Sequence, residues 1–526
     1  MRKIISLTRV TTGLERVISL IVRHPRGAIL LLFLFHAIIT ISIVRQHSAP
    51  FTLDEAEQFW YGGYYLDQLS RGGIPPLAKG PLYAFHPPLV RLISVPFYVL
   101  WGYSPHVAVI STLPALLLLL FSVFSIGKEL HSVEAGLLAA ALTSFFPGIV
   151  SFSRTYLLDV SLTAAVALSV AVLLKTKNFS HTAYTILFGV SIGLGMLTKL
   201  PFSIFLIGPV ISCTCRALRG TERGARCQPL KKLILAVLIG SAICAPWYLA
   251  NWEAAVVSAK AVAMKDSPFI LGGVGQALQY LVSLYGILLG PSLAVAIPIC
   301  LGLGLQRRSV PSLLLWWIIP PYLFFSFFVT QSFSRYLLPS LPAFGLCLAL
   351  LLRQSSSRAK RPLAVLVLAI SLVQFIFISY VGAVPHPLER WRIGGARADS
   401  RDWRVSEVTE ILTELMAHSP NRTVAGLDFS VYSPGTIEYL MFMGKIPRTN
   451  VYGSHPCEWN GSPCERPVSF YEQILANSGV FVATSGFFSE AEGSHLLLAW
   501  GRLDPPFNLA ASLPLPDGEQ LLIFSR

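Results

Sequence analysis

The sequence predicts an all-α polytopic membrane protein of about eleven transmembrane helices, carrying a C-terminal soluble α/β domain. Three observations predict it. Of 526 residues, 53% are hydrophobic and only 13% charged, against about a quarter charged in an ordinary soluble domain. Apolar runs of about 17–25 residues, enough to cross a bilayer as helices, recur through residues 27–383. From residue 384 onward acidic residues return and the periodicity becomes that of a soluble domain.

The first run, GAILLLFLFHAIITISIV, is too long for a cleaved signal peptide and lacks the small-residue cleavage site, so it is expected to stay as the first helix. The predicted spans are 27–45, 105–127, 132–152, 158–175, 182–198, 201–216, 232–250, 283–305, 311–330, 336–353 and 362–383. Residues 89–102, LVRLISVPFYVLWG, are apolar but short and contain Pro96. They read as a helix lying in the membrane or re-entering it. If this segment crosses, another must be recounted, and thirteen spans is the alternative.

The net charge of +14 is concentrated in short loops. Lys and Arg cluster in the first 26 residues, in RALRGTERGARCQPLKK, at Arg307 and Arg308, and in RQSSSRAKR. This is the positive-inside pattern. With the N-terminus inside, eleven crossings put all these loops in the cytoplasm and the C-terminus outside. No basic groove interleaved with aromatics is evident, which excludes nucleic acid as a partner.

Two domains follow: a membrane domain over 1–383, with its first outer loop at 46–104, and an outer domain over 384–526. In the latter, Val405, Val408, Ile411, Leu412, Leu415 and Met416 recur at helical spacing, and TVAGLDF, GVFVATS and QLLIFS read as strands. Among the eight cysteines, Cys213, Cys215 and Cys227 lie at or in a predicted cytoplasmic loop and lack zinc-binding spacing. Cys457 and Cys464, in HPCEWNGSPC, fall in the outer domain, where they either close a short disulfide loop or stay as two thiols.

The chemistry gathers on the outer side. FTLDEAEQFW places Asp54, Glu55 and Glu57 just past the first span, with Asp67 further along the same loop. Asp159, in SRTYLLDVSL, opens a later helix on that side. A carboxylate at a membrane boundary is costly and usually functional. The structural alternatives are plain solvation for Glu55, Glu57 and Asp67, and a helix N-cap for Asp159. Cations and donors join them: Lys79 and His86 in LAKGPLYAFHPPL, Arg154, Lys199 in GLGMLTKLP, and Arg335 with Tyr336 in SFSRYLLPSLP. Interfacial snorkelling accounts for any one. Several together, beside carboxylates, point to a site for a phosphate-bearing lipid, the cations holding phosphate while a carboxylate does acid–base work.

In order along the chain, the Asp54–Glu55 pair, HPPL (His86 to Leu89), Arg154 to Asp159, Gly193 to Lys199, PWY (Pro246 to Tyr248) and Arg335 to Pro342 resemble the GT-C superfamily of polytopic glycosyltransferases. The likeness is to the protein O-mannosyltransferase and lipid A aminoarabinose transferase group, over residues 27–350. The resemblance implies Asp54 as catalytic base, with Glu55 orienting or tuning it and Asp159 organising the acceptor side or the first loop. Glu57 is expected to be nearly silent. Lys79, His86, Arg154, Lys199, Arg335 and Tyr336 would bind the donor phosphate. The implied donor is a sugar on a polyprenyl phosphate, and the acceptor is a protein, lipid A or another glycan. No nucleotide cofactor is expected, since GGVGQAL at 272–278 follows no strand. A divalent cation is the alternative, since oligosaccharide-transferring relatives pair such acids around one. The mannosyl and aminoarabinosyl group does not need it, and no compact cluster of His and acids occurs in the sequence, so no metal is expected. The expected setting is a bacterial inner membrane with its active face in the periplasm, and a eukaryotic endoplasmic reticulum enzyme would be similar. A lipid-linked sugar flippase is the rival reading, although transporters place charge near the midplane on broken helices.

Overall fold

A computed structural model describes residues 19–72, 86–220, 227–253, 255–256, 269–290, 311–329, 333–354, 360–381, 400–418, 423–426, 437, 440, 450–453, 468–485, 488, 491–503, 506–516 and 518–526. The chain forms two compact units: residues 1–42, 76–90 and 109–397, and residues 43–75, 91–108 and 398–526.

The first unit is helical. Its elements include α1 (Pro25–Gln46), and a second helix, α2 (Leu53–Ser70), follows in the other unit, as does most of α3 (Leu89–Trp101). Along the chain come α4 (Pro105–Ile110), α5 (Leu113–Leu130), α6 (Val133–Phe145), α7 (Pro147–Phe152), α8 (Asp159–Lys175), α9 (Thr182–Met196), α10 (Phe202–Arg219) and α11 (Cys227–Ala250). Then follow α12 (Phe269–Val282), α13 (Ser312–Phe328), α14 (Leu341–Gln354) and α15 (Lys360–Ile376). Among the described residues six helical stretches are long and apolar enough to cross a membrane, and four shorter apolar helices accompany them. The polytopic membrane fold expected from composition is borne out.

Where element bounds depart from the predicted spans, local chemistry explains several of them. The span predicted at 132–152 divides into α6 and α7 at Phe146, whose φ −62° and ψ 131° are extended. Pro147 follows it, and the residue before a proline is driven from helical backbone. Residues 105–127 also divide, at Ser111 and Thr112, and Pro114 sits in the first turn of α5, where its missing N–H costs nothing. The helix predicted to start at 283 begins earlier, as α12, and runs on through a π-helical turn at Ser283–Leu288. α14 is preceded by a 3-10 turn, Ser334–Ser340.

Close helix approach sets the framework around α9. A Cβ at Gly189 would fall 2.7 Å from Ala236 O, and one at Gly193 would fall 2.6 Å from the Ile243 side chain, both on α11. Small residues four apart let two backbones meet where lipid supplies no hydrophobic drive. Around this pair, Leu116, Leu119 and Val123 of α5, Ala139 and Leu142 of α6, and Val166 and Val170 of α8 form one buried core. At the end of the unit where α8 finishes, Lys177 pairs with Glu129 at 2.7 Å and Arg353 pairs with Glu134.

The second unit contains a five-stranded sheet in the order β2-β1-β3-β5-β4. The strands are β1 (Thr423–Gly426), β2 (Asn450–Gly453), β3 (Val480–Thr484), β4 (Asn508–Pro514) and β5 (Gln520–Ser525). β1 pairs parallel with β2 and β3, and β5 runs antiparallel to β3 and β4. The three predicted strands are β1, β3 and β5; the sheet adds β2 and β4. Side-chain alternation gives it two buried faces. Val480 and Val482 pack with Val408, Leu412 and Met416 of α16 (Val405–His418). Phe481 and Ala483 pack with Tyr471 and Leu475 of α17 (Val468–Ala476) and Leu496 of α18 (Ala491–Trp500). β3 is buried along its whole length, as a central strand covered on both sides must be.

Candidate active site

In the first unit the motif residues meet at one turn, the link between α9 and α10. Asp159 is the first residue of α8 and is 2% exposed. It does not act as the helix cap: Leu158 holds that position, with no side-chain cap bond. Lys199 Nζ instead donates to Asp159 Oδ1 at 2.9 Å. The N–H groups at the start of α8, left without intrahelical partners, favour a carboxylate there, and the ammonium balances the remaining charge. Both side chains are nearly withdrawn from solvent.

Three further motifs reach the same turn. The Leu89 N–H of HPPL donates to Leu197 O at 3.1 Å. The Tyr248 hydroxyl of PWY donates to Met196 O at 2.9 Å. Tyr336 presents its ring 5.9 Å from Lys199 Nζ, within reach of a cation–π attraction. Its own placement is fixed by Phe325 and Phe333, with ring centres 5.4 and 5.6 Å away. Four segments scattered over some 250 residues of sequence therefore converge on the fifth, the turn at residues 196–199.

The remaining predicted phosphate ligands are placed as follows. His86 is half-buried, three residues before the Leu89 contact. Arg154 lies in the turn before α8, where Nη2 donates to Ser379 Oγ at 2.9 Å and the guanidinium stands 5.5 Å from the centre of the Phe375 ring. Arg335 stands 4.5 Å from the Phe333 ring. Lys79 lies outside the described residues, as do Cys457 and Cys464. Among the described residues no three His, Cys, Asp or Glu side chains gather where a metal ion could be held.

In the second unit Asp54 and Glu55 open α2. Thr52 is the cap residue; Glu55 Oε2 accepts from its N–H at 3.2 Å and from its hydroxyl at 2.8 Å. This is the reciprocal cap expected of a Thr followed three residues later by Glu, so Glu55 has a structural task that the sequence reading did not assign. Asp54, in the same first turn, is half-buried. Asp67 pairs with Arg71 at 2.9 Å in an exposed ion pair one turn apart.

Glu57, expected to be silent, is engaged. Its Oε1 accepts from Arg91 Nη2 at 3.5 Å. Arg91 is 0% exposed, donates Nε–H to Gln58 Oε1 at 2.8 Å, and stacks 4.0 Å over the Tyr61 ring. Arg91 also lies beside Tyr65: burial pushes the phenol upward, and the guanidinium pulls it back down. The opposite flank of α2 is held by Tyr103, which stacks on Phe59 at 4.1 Å and donates to Phe59 O at 2.8 Å. Gly63 makes room for it: a Cβ there would fall 2.5 Å from the Tyr103 hydroxyl. The sequence reading missed Arg91, although an arginine in an otherwise apolar helix is a costly placement that asks for a partner.

Residues 85–249 match the family model described as dolichyl-phosphate-mannose-protein mannosyltransferase. That stretch holds HPPL, Arg154, Asp159, Lys199 and PWY. No curated protein matches the sequence. Among solved structures, the fold is similar to ArnT from Cupriavidus metallidurans bound to undecaprenyl phosphate: 14% identity, 94% of this chain and 98% of that one, TM-score 0.60. It is also similar to AglB from Archaeoglobus fulgidus in complex with an inhibitory peptide and a dolichol-phosphate: 12% identity, 95% of this chain and 74% of that one, TM-score 0.55. The Archaeoglobus fulgidus oligosaccharyltransferase in complex with Zn and sulfate matches at 14% identity, over 93% of this chain and 72% of that one, TM-score 0.53. The resemblance drawn from the motifs is borne out in the fold.

Proposed function

We propose that this chain is an integral membrane glycosyltransferase that moves a sugar from a polyprenyl phosphate to a protein, lipid A or another glycan. The observation that carries this reading is the convergence of four motif segments on a fifth, the turn at 196–199. The end-to-end likeness to a protein solved with undecaprenyl phosphate supports it.

Lys199 is the principal phosphate ligand. An ammonium has three donors, and Asp159 takes one of them at 2.9 Å, so the side chain is fixed in direction while it still has hydrogens to give. His86, Arg154, Arg335 and Tyr336 complete the phosphate-binding set, with Lys79. Fixed cations stabilise the charge that grows on the lipid phosphate as the sugar departs. Asp54 is the base. The acceptor oxygen forms a bond to the anomeric carbon, the bond from that carbon to the phosphate oxygen breaks, and the phosphate leaves with the electron pair. Asp54 takes the acceptor's proton. A single displacement inverts the anomeric centre. No step is routed through a metal ion. The proposed setting is a bacterial inner membrane, with the active face and residues 384–526 on the periplasmic side.

The test uses the full-length protein in proteoliposomes, given polyprenyl-phosphate sugars labelled in the sugar and an acceptor extract of lipids and membrane proteins. The expected result is label moved to acceptor with matching release of polyprenyl phosphate. Intact donor appearing on the opposite leaflet, with no transfer, would support the flippase reading instead.

A further inference from the structure

Arg91 grips one stripe of α2. Its partners Gln58, Tyr61 and Tyr65 recur at i, i+3 and i+7, which puts them on a single helical face. Asp54 lies four residues before Gln58, on that same stripe at its N-terminal end. Glu57, beside the stripe, takes a further guanidinium contact. An arginine offers a planar fork of five donors, so contacts over more than two turns of α2 fix both its rotation and its translation. One residue of slip would swing every member of the stripe by about 100°. The capping box at Thr52 and Glu55 then fixes where the first turn begins.

We propose that Arg91 is a positioning residue for the base: by holding Gln58, Tyr61 and Tyr65 it sets the direction in which Asp54 projects from α2. The buried cation acts through the helix, so its effect falls on turnover rather than on donor capture. This inference rests on the glycosyl-transfer reading above. It extends that reading to a residue outside the phosphate-binding set.

The experiment compares wild type with Arg91→Gln, Arg91→Lys and Gln58→Met in the proteoliposome assay, with rates normalised to folded protein. Misplacement of a catalytic group by about 1 Å can cost about 100-fold. Arg91→Gln is therefore expected to lower kcat about 10- to 100-fold, with donor KM within about two-fold of wild type. Arg91→Lys keeps the charge but loses the fork and should recover part of the rate. Should Arg91→Gln not fold, Gln58→Met removes the arm at 2.8 Å and should still lower kcat with KM unchanged. Equal loss in kcat and donor affinity, or a full rate in folded Arg91→Gln or Gln58→Met, would overturn the proposal. A wild-type chain without transfer would defeat the parent reading instead. Hydrogen exchange along 53–70 then decides the positioning half: faster exchange in Arg91→Gln supports it, and unchanged exchange refutes it.

Discussion

Lys199 and Asp159 form an ion pair across 2.9 Å that ties the turn after α9 to the first turn of α8, with side chains 11% and 3% exposed. Removing one member of a buried pair leaves an uncompensated charge, at a cost of about 3–5 kcal/mol, whereas replacing both by apolar groups is often neutral. Asp159→Ala and Lys199→Met are each expected to lower thermal stability in detergent. The double variant Asp159→Leu with Lys199→Met should regain most of it. It should not regain donor capture: a lost cation–phosphate contact of about 1.5–3 kcal/mol raises donor KM about ten-fold or more. A stable double variant with unchanged donor KM would remove Lys199 from the phosphate site.

Glu55 tests whether the second acid of the Asp54–Glu55 pair is more than a cap. Glutamine serves the capping box as well as glutamate, so Glu55→Gln should keep both stability and most of the transfer rate. Glu55→Ala should cost about 0.5–2 kcal/mol in unfolding, the usual loss for a broken cap. A collapse of transfer in stable Glu55→Gln would restore a catalytic task to this carboxylate.

Packing of α9 on α11 yields a prediction about stability. Gly193→Leu puts a side chain where Ile243 already lies within 2.6 Å of a Cβ. Overpacking costs about 1–3 kcal/mol, and displacement of α9 would carry Lys199 with it. Loss of melting temperature together with weakened donor capture is the expected pair of effects. A stable variant with intact donor capture would show that the α9–α11 approach does not set the site.

Much of this was legible in the sequence because membrane helices announce themselves by length and apolarity, and because the motifs occur in a recognisable order. Three strands of the sheet and the buried face of α16 followed from periodicity alone. What sequence left hidden was pairing. Nothing in SRTYLLDVSL or GLGMLTKLP states that Asp159 and Lys199, forty residues apart, are partners. The acidic stretch FTLDEAEQFW looked like one cluster, yet its three carboxylates divide among a cap contact, a buried arginine and the first turn of α2. Arg91 escaped notice because its partners lie 26 to 34 residues upstream. β2 was missed because it is only four residues long, and β4 because it is exposed along most of its seven residues and carries no long apolar run.

Orientation is tested by thiol labelling. Ser70→Cys, at the exposed end of α2, should react with an impermeant reagent from outside intact cells. Asn178→Cys, in the turn after α8, should react only after permeabilisation. The reverse pattern would put the proposed active face in the cytoplasm.

The central claim is that Asp54 takes the acceptor's proton, and the transfer rate of Asp54→Asn tests it most directly. Asparagine keeps the shape and hydrogen-bonding reach of aspartate but cannot accept that proton. General-base catalysis contributes about 10²–10⁴-fold. The account predicts a fall in kcat of that size in a protein that folds, melts and binds the polyprenyl-phosphate donor as wild type does. Transfer at the wild-type rate by folded Asp54→Asn would contradict it.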